Sequence, residues 1–264
     1  MREVAGRARG GAFGLLGAVL AGALTGVAQV PVSNNWPVVG HDAGGMRYSP
    51  LTQIRPDNVA QLARAWTYHT GDQGTQFETT PIVVDGVMYL STQRQRVVAL
   101  DAETGAERWT YDANVRGSRE HRGVAYWAGD ATAGPRIVFG TGDGRLIALD
   151  AKTGQPASGF GTNGVVDLKA GVTDGVANGN LAITSPPAIY KNLAIVGPST
   201  QEGPSLGPSG DPRAYDLRTG ALVWRFHLVP RPGEPGSETW APDGWKNRAG
   251  PSLWPPNRAT RRRR

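Results

Sequence analysis

The sequence predicts an all-β protein made of four-stranded antiparallel sheets, set side by side as the blades of a propeller. Three observations carry that expectation. A hairpin phrase is written three times, as RVVALDAETGAERW (96–109), RLIALDAKTGQPASGF (145–160) and RAYDLRTGALVWRF (213–226). A further strand pair accompanies each copy. The composition, 37 Gly and 20 Pro in 264 residues, is that of a turn-rich chain, and 39% hydrophobic residues suffice for a core.

In the first copy, VVAL (97–100) reads as a buried strand and DAETG (101–105) as a tight connection in which Gly105 takes a positive φ. AERWTY (106–111) returns as the partner strand, with Trp109 packing over the turn. Asp101, Asp150 and Asp216 mark the three copies. TTPIVVDGVMYLST (79–92) predicts a hairpin turning at Asp85-Gly86, and PRIVFGTGDGRLIALD (135–150) one turning at Asp143-Gly144. SPPAIYKNLAIVGPST (185–200) predicts a third, turning near Lys191-Asn192. Four strands in each period of about 40–50 residues is the spacing of propeller blades, none of which can bury both faces alone. Tryptophan recurs as Trp109 and Trp224, but Pro156 and Phe160 replace it in the second copy, predicting a less regular outer edge there. Residues 159–183 read as an insertion loop pinned by Val165, Val166 and Leu168.

The formal net charge is +6. Its excess sits at the two ends, on Arg2, Arg7 and Arg9 and on Arg258 and Arg261 to Arg264. The body is near neutral, which speaks against a basic nucleic-acid face. Residues 1–28 have an Arg-bearing start, a small-apolar run and then Gly26 and Ala28 placed as a cleavage site. That is the layout of a secretory signal peptide. It predicts a periplasmic protein with no stable membrane span after cleavage. The chain has no cysteine, so packing or ligands must hold the fold.

Several stretches, in order, resemble the PQQ-dependent quinoprotein alcohol and glucose dehydrogenase family. They are GHDAGGMRYSPLTQI (40–54), VAQLARAWTYHTG (59–71), RGVAYW (122–127), ITSPPA (183–188) and ETWAPDGWKNR (238–248). The resemblance implies an eight-bladed propeller, of which residues 29–250 would supply about three to four blades. It implies pyrroloquinoline quinone as cofactor with calcium beside it. It also implies an alcohol or sugar substrate, such as glucose, and a quinone or cytochrome electron acceptor.

Pyrroloquinoline quinone is a flat tricyclic ortho-quinone bearing three carboxylates. Its site needs an aromatic plane, cations and hydroxyls, and a divalent ion polarising the quinone. On the resemblance, Arg122 hydrogen-bonds the cofactor's edge, its guanidinium fork suited to paired oxygens. Trp240 forms the stacking floor, although Pro242 stands where the family usually has Gly. Glu78 supplies an acidic contact and Thr184 a hydroxyl to a cofactor carboxylate. Glu202 matches a calcium ligand, and one carboxylate alone cannot complete a calcium site. His121 precedes Arg122 where other members carry different residues. Lacking the adjacent-cysteine disulfide of the alcohol dehydrogenases, the chain resembles the sugar- or broad-alcohol-oxidising branches.

The chain also departs from the family. The catalytic aspartate lies in an HD-x-WD type strand, and no Trp-Asp pair occurs here. Residues 251–264 read as a disordered Pro/Arg-rich tail. The expectation is a truncated product, inactive by itself for want of a positioned carboxylate base, with open strand edges. A non-catalytic β-propeller scaffold or binding module of the cell envelope is the other class left open. It would need neither RGVAYW nor TWAPDGW.

Overall fold

The computed structural model describes residues 35–42, 44–73, 77–117, 119–173, 176, 179–200, 206–246 and 248–252. The expected signal segment 1–28 and residues 253–264 of the expected tail lie outside these. Among the described residues, twelve strands form three antiparallel four-stranded sheets. The first sheet holds β1 (Ile82–Val84), β2 (Val87–Ser91), β3 (Arg96–Asp101) and β4 (Glu107–Asp112), in that order. The second holds β5 (Ala125–Trp127), β6 (Arg136–Gly140), β7 (Arg145–Asp150) and β8 (Val165–Asp167). The third holds β9 (Ala188–Tyr190), β10 (Leu193–Val196), β11 (Arg213–Asp216) and β12 (Leu222–Arg225). Each sheet is a meander, its strands paired in chain order. The first strands β5 and β9 approach one another, so the meanders radiate outward from them. This is a partial propeller, as predicted. No helix among the described residues is long and apolar enough to cross a membrane.

The thrice-written phrase is a turn that satisfies itself. Asp101 Oδ1 accepts the backbone N–H of Thr104 at 2.9 Å and its hydroxyl at 2.9 Å. Asp150 does the same with Thr153, and Asp216 with Thr219. The following glycine N–H returns to the aspartate carbonyl in all three copies. Gly105, Gly154 and Gly220 carry φ of 74°, 71° and 76°, the left-handed conformation that glycine adopts without penalty. The Arg108 guanidinium and the Thr104 N–H and hydroxyl hold the exposed Asp101 carboxyl down at about 2.

Hydrophobic pattern decides which sheet lies inside. Strands β6 and β7 are buried at almost every position because both faces of the middle sheet are covered. Ile137, Phe139, Ile147 and Leu149 pack toward the first sheet, against Ile82 and Val97. Val138, Leu146 and Ala148 pack toward the third, against Ile183 and Val196. The outer face of the first sheet is closed by Trp66 and Tyr68, which cover Leu90, Val98 and Leu100. Strand β12 has no such cover: Leu222, Val223 and Trp224 are exposed.

Three expectations need correction. Trp109 does not pack over its own turn. A Cβ on Gly154 would lie 2.6 Å from the Trp109 ring, so the tryptophan sits on the turn of the next sheet. It donates from Nε1 to the Ala151 carbonyl of that turn at 3.1 Å. Trp66 lies on Gly105 in the same way. The third turn receives Val166 and the Gly161 backbone on Gly220 instead, because the second copy has lost its tryptophan.

Residues 159–183 are not simply an insertion loop. Val165–Asp167 is strand β8, paired with β7, and Phe160 and Leu168 beside it are fully buried. The first strand of the second sheet is Ala125–Trp127, so the RGVAYW stretch itself enters the fold, rather than a pair drawn only from residues 135–150.

Each tooth-and-turn contact has no spare room. Gly154→Ala would add both a strained positive φ and a clash with Trp109. It is expected to lower stability by about 1–3 kcal/mol, read as a lower urea midpoint at unchanged slope.

Arginines add a second tie between sheets. Arg145 Nη2 donates to the Ala113 carbonyl at 2.7 Å, and Arg213 Nη1 to the Leu168 carbonyl at 2.8 Å. Arg96 reaches the Thr70 carbonyl and Asp72. On the turn side, Arg136 Nη1 donates to the carbonyls of Leu217 at 2.6 Å and Arg218 at 3.1 Å. Its Nη2 donates to Ser158 at 2.8 Å.

Candidate functional site

The segments leading into β1, β5 and β9 start at one end of the sheets, opposite the Asp85-Gly86 turn that closes β1 on β2. They are stitched sideways by backbone hydrogen bonds. The Thr80 N–H donates to the Arg122 carbonyl at 3.2 Å, and the Arg122 N–H to the Thr184 carbonyl at 2.9 Å. Gly123, with φ of 126°, lets these strands come this close. A Cβ there would lie 2.8 Å from the Thr80 oxygen.

This stitching brings three of the predicted site residues together. Arg122 Nη2 forms an ion pair with Glu78 Oε2 at 3.1 Å. Arg122 Nη1 donates to Thr184 Oγ1 at 2.9 Å. The Arg122 side chain is 22% exposed and that of Glu78 44% exposed, while Thr184 is buried. A guanidinium is thus held in place from two sides while still reaching solvent.

Trp240 follows a single 3₁₀ turn, Ser237–Thr239, and is 39% exposed. Among the described residues its ring has no aromatic or cationic neighbour. The nearby Trp245 is the one that stacks, under Arg231 at 4.8 Å and Lys246 at 5.9 Å. Glu202 lies outside the described residues. No cluster of three or more His, Cys, Asp or Glu side chains that could hold a metal ion occurs among the described residues.

The sequence reading missed the role of the residue beside Arg122. His121 is buried, with Nδ1 2.7 Å from Ser91 Oγ and Nε2 2.8 Å from the Gly140 carbonyl. Burial pushes its pKa down from the ordinary histidine value, and the neighbouring Arg122 pushes the same way. Both partners are remote in sequence, so only a buried histidine next to a site arginine could have hinted at them.

The chemistry of this donor set fits one edge of a polycarboxylate quinone. A cation and a hydroxyl lie side by side, and the cradle at Gly123 keeps backbone and side chains close.

Meandering sheets that gather a guanidinium, a carboxylate and a hydroxyl where their first strands begin have the architecture of a partial propeller with a polar cluster at the head of its blades. The family described as PQQ glucose/ethanol/alcohol dehydrogenase, beta-propeller domain, matches residues 36–262, and this chain belongs to it. The quinoprotein glucose dehydrogenase of Escherichia coli (strain K12) is 37% identical over 80% of this chain and 29% of its own length. The quinohemoprotein alcohol dehydrogenase of Comamonas testosteroni is 36% identical over 83% of this chain and 31% of its own. The crystal structure of the Comamonas testosteroni enzyme superposes with a TM-score of 0.69 at 34% identity, covering 86% of this chain and 34% of that one. The chain therefore spans about a third of the length of the relatives it matches.

Proposed function

We propose that this chain supplies the Arg122 edge of a pyrroloquinoline quinone site in a dehydrogenase of alcohols or sugars, such as glucose. The observation that carries this reading is the convergence of Glu78 and Thr184, from the leads into two other sheets, on the Arg122 guanidinium. When bound, the quinone accepts the substrate's two electrons, which pass on to a quinone or cytochrome. Arg122 and Thr184 hold a carboxylate or ring oxygen of the cofactor. Glu78 balances the guanidinium and orients it until that oxygen arrives. Trp240 provides the stacking plane. Glu202 contributes one oxygen to a calcium ion whose other ligands come from elsewhere. The signal segment 1–28 directs the protein to the periplasm. We assign cofactor grip, rather than turnover, to the three blades by themselves.

Titration of the purified chain with pyrroloquinoline quinone tests this, followed by quenching of tryptophan fluorescence and by the bound quinone spectrum. Wild type is expected to bind, and Arg122→Ala to bind about 10–100-fold more weakly, the worth of a charge-assisted hydrogen bond. Equal binding by both proteins, or none by wild type, refutes the reading. Dye-linked oxidation of glucose or ethanol by the chain alone would overturn the assignment of turnover elsewhere.

A further inference from the structure

The imidazole of His121 has one reading that satisfies its neighbours. The Gly140 carbonyl can only accept, so Nε2 carries the proton and donates to it at 2.8 Å. Nδ1 is then an acceptor, and the Ser91 hydroxyl donates to it at 2.7 Å. With its proton committed, Ser91 Oγ is left to accept from Thr79 Oγ1 at 3.1 Å. Thr79 Oγ1 in turn accepts the Ser91 N–H at 3.3 Å. The result is a directional chain from Thr79 through Ser91 and His121 to Gly140.

Its ends belong to different blades. Thr79 and Ser91 belong to the first blade, and Gly140 ends β6 of the second. The ring itself lies against Phe139, with centroids 6.1 Å apart at 73°. One residue on, the Arg122 backbone bonds Thr80 of the first blade and Thr184 ahead of the third. The pair His121-Arg122 is therefore the point where three blades are tied, with the histidine's side chain and the arginine's main chain making the ties.

We propose that His121 is the positioning residue of this site, a neutral imidazole that fixes the lead into β5 and thereby places the Arg122 guanidinium between Glu78 and Thr184. Its consequence for ligand binding rests on the reading of Arg122 given above, whereas the placement itself belongs to the free protein. Protonation would put a second donor against Ser91 and a second cation beside Arg122, with Glu120 the acidic group acting in the opposite sense. The charged form thus loosens the tie, and it appears only as pH falls below the ordinary histidine range.

The test uses the full chain with His121→Phe, His121→Gln and His121→Asn. Phenylalanine fills the space and makes neither bond. Glutamine can still donate toward Gly140, and asparagine can still accept from Ser91. The first readout is the side-chain Nε–H resonance of Arg122 in ¹⁵N-labelled free protein, assigned by its loss in Arg122→Lys. The second is the dissociation constant for pyrroloquinoline quinone between pH 5 and 8. A narrow, slowly exchanging Arg122 signal is expected in wild type. In His121→Phe that signal broadens and affinity falls by about tenfold or more, the usual effect of losing a residue that orients a ligand contact. His121→Gln recovers part of both. The weakening of binding toward the acid end of this range is expected to be smaller in His121→Gln than in wild type, since only wild type has an imidazole at position 121 to charge.

An Arg122 signal and an affinity unchanged in His121→Phe overturn the proposal while leaving the cofactor reading intact. Wild-type protein that shows no binding sinks the cofactor reading, and the Arg122 resonance still decides the placement. If His121→Phe does not fold, His121→Gln and His121→Asn decide. A narrow wild-type-like Arg122 signal in both rejects the proposal, and broadening in either supports it.

Discussion

Replacing Arg136 with methionine is expected to cost about 3–5 kcal/mol of stability. The side chain is buried at the start of β6 and donates to three carbonyls, those of Leu217, Arg218 and Ser158. It lies between the rings of Trp127 and Phe160, its guanidinium carbon 5.8 Å from each centroid. Burial lowers its pKa from the ordinary arginine value, yet a guanidinium keeps its proton, so these are charge-assisted bonds. Methionine matches the apolar volume but leaves three carbonyls without this donor, at about 1–3 kcal/mol for each one that stays dry. Lysine recovers little, because one ammonium cannot reach both the Leu217–Arg218 carbonyls and that of Ser158 as the guanidinium fork does. Guanidinium unfolding at pH 7 measures the loss, and a cost below about 1 kcal/mol would refute this account.

The second large effect compares two tryptophans with the same place in the repeat. Trp109→Ala is expected to cost about 2–4 kcal/mol, since it removes the ring on Gly154, the bond to Ala151 and the contact with Tyr89. Trp224→Ala is expected to change stability by less than about 0.5 kcal/mol, because that ring is 38% exposed on uncovered β12. Thermal unfolding of the two variants side by side decides it. Similar losses at both positions would show that strand propensity, rather than contact with the neighbouring turn, sets the value of these residues.

Much of the fold could be read in advance because its turns are local. Asp, Thr and Gly within five residues satisfy one another, so the phrase announces its own geometry. Asp85 and Gly86 likewise reach φ of 49° and 75°, as a two-residue hairpin turn demands. What pattern could not show is where each outer strand lands. Trp109 and Gly154 are brought together only when two sheets stack, and the periodicity of either sheet is silent about it. Strand β8 was hidden because three residues of Val-Val-Asp inside a glycine-rich stretch carry too little alternation to read.

The site divides the same way. Glu78, Arg122 and Thr184 were nameable through resemblance, and each immediately precedes or leads into a first strand. His121 was not, because its partners lie 30 and 19 residues away and neither belongs to a recognisable motif.

The contact between an outer strand and the next turn also has a direction. Trp109 of the first sheet fills the Gly154 corner of the second, and Val166 with the Gly161 backbone fills the Gly220 corner of the third, so these sheets add head to tail. Such heterologous joints ordinarily invite open-ended fibres when subunits meet. Here the leading corner at Gly105 is already plugged by the chain's own Trp66. Among the described residues all three Thr-Gly corners are occupied, so the exposed Trp224 of β12 would meet no empty corner on these blades of a second copy.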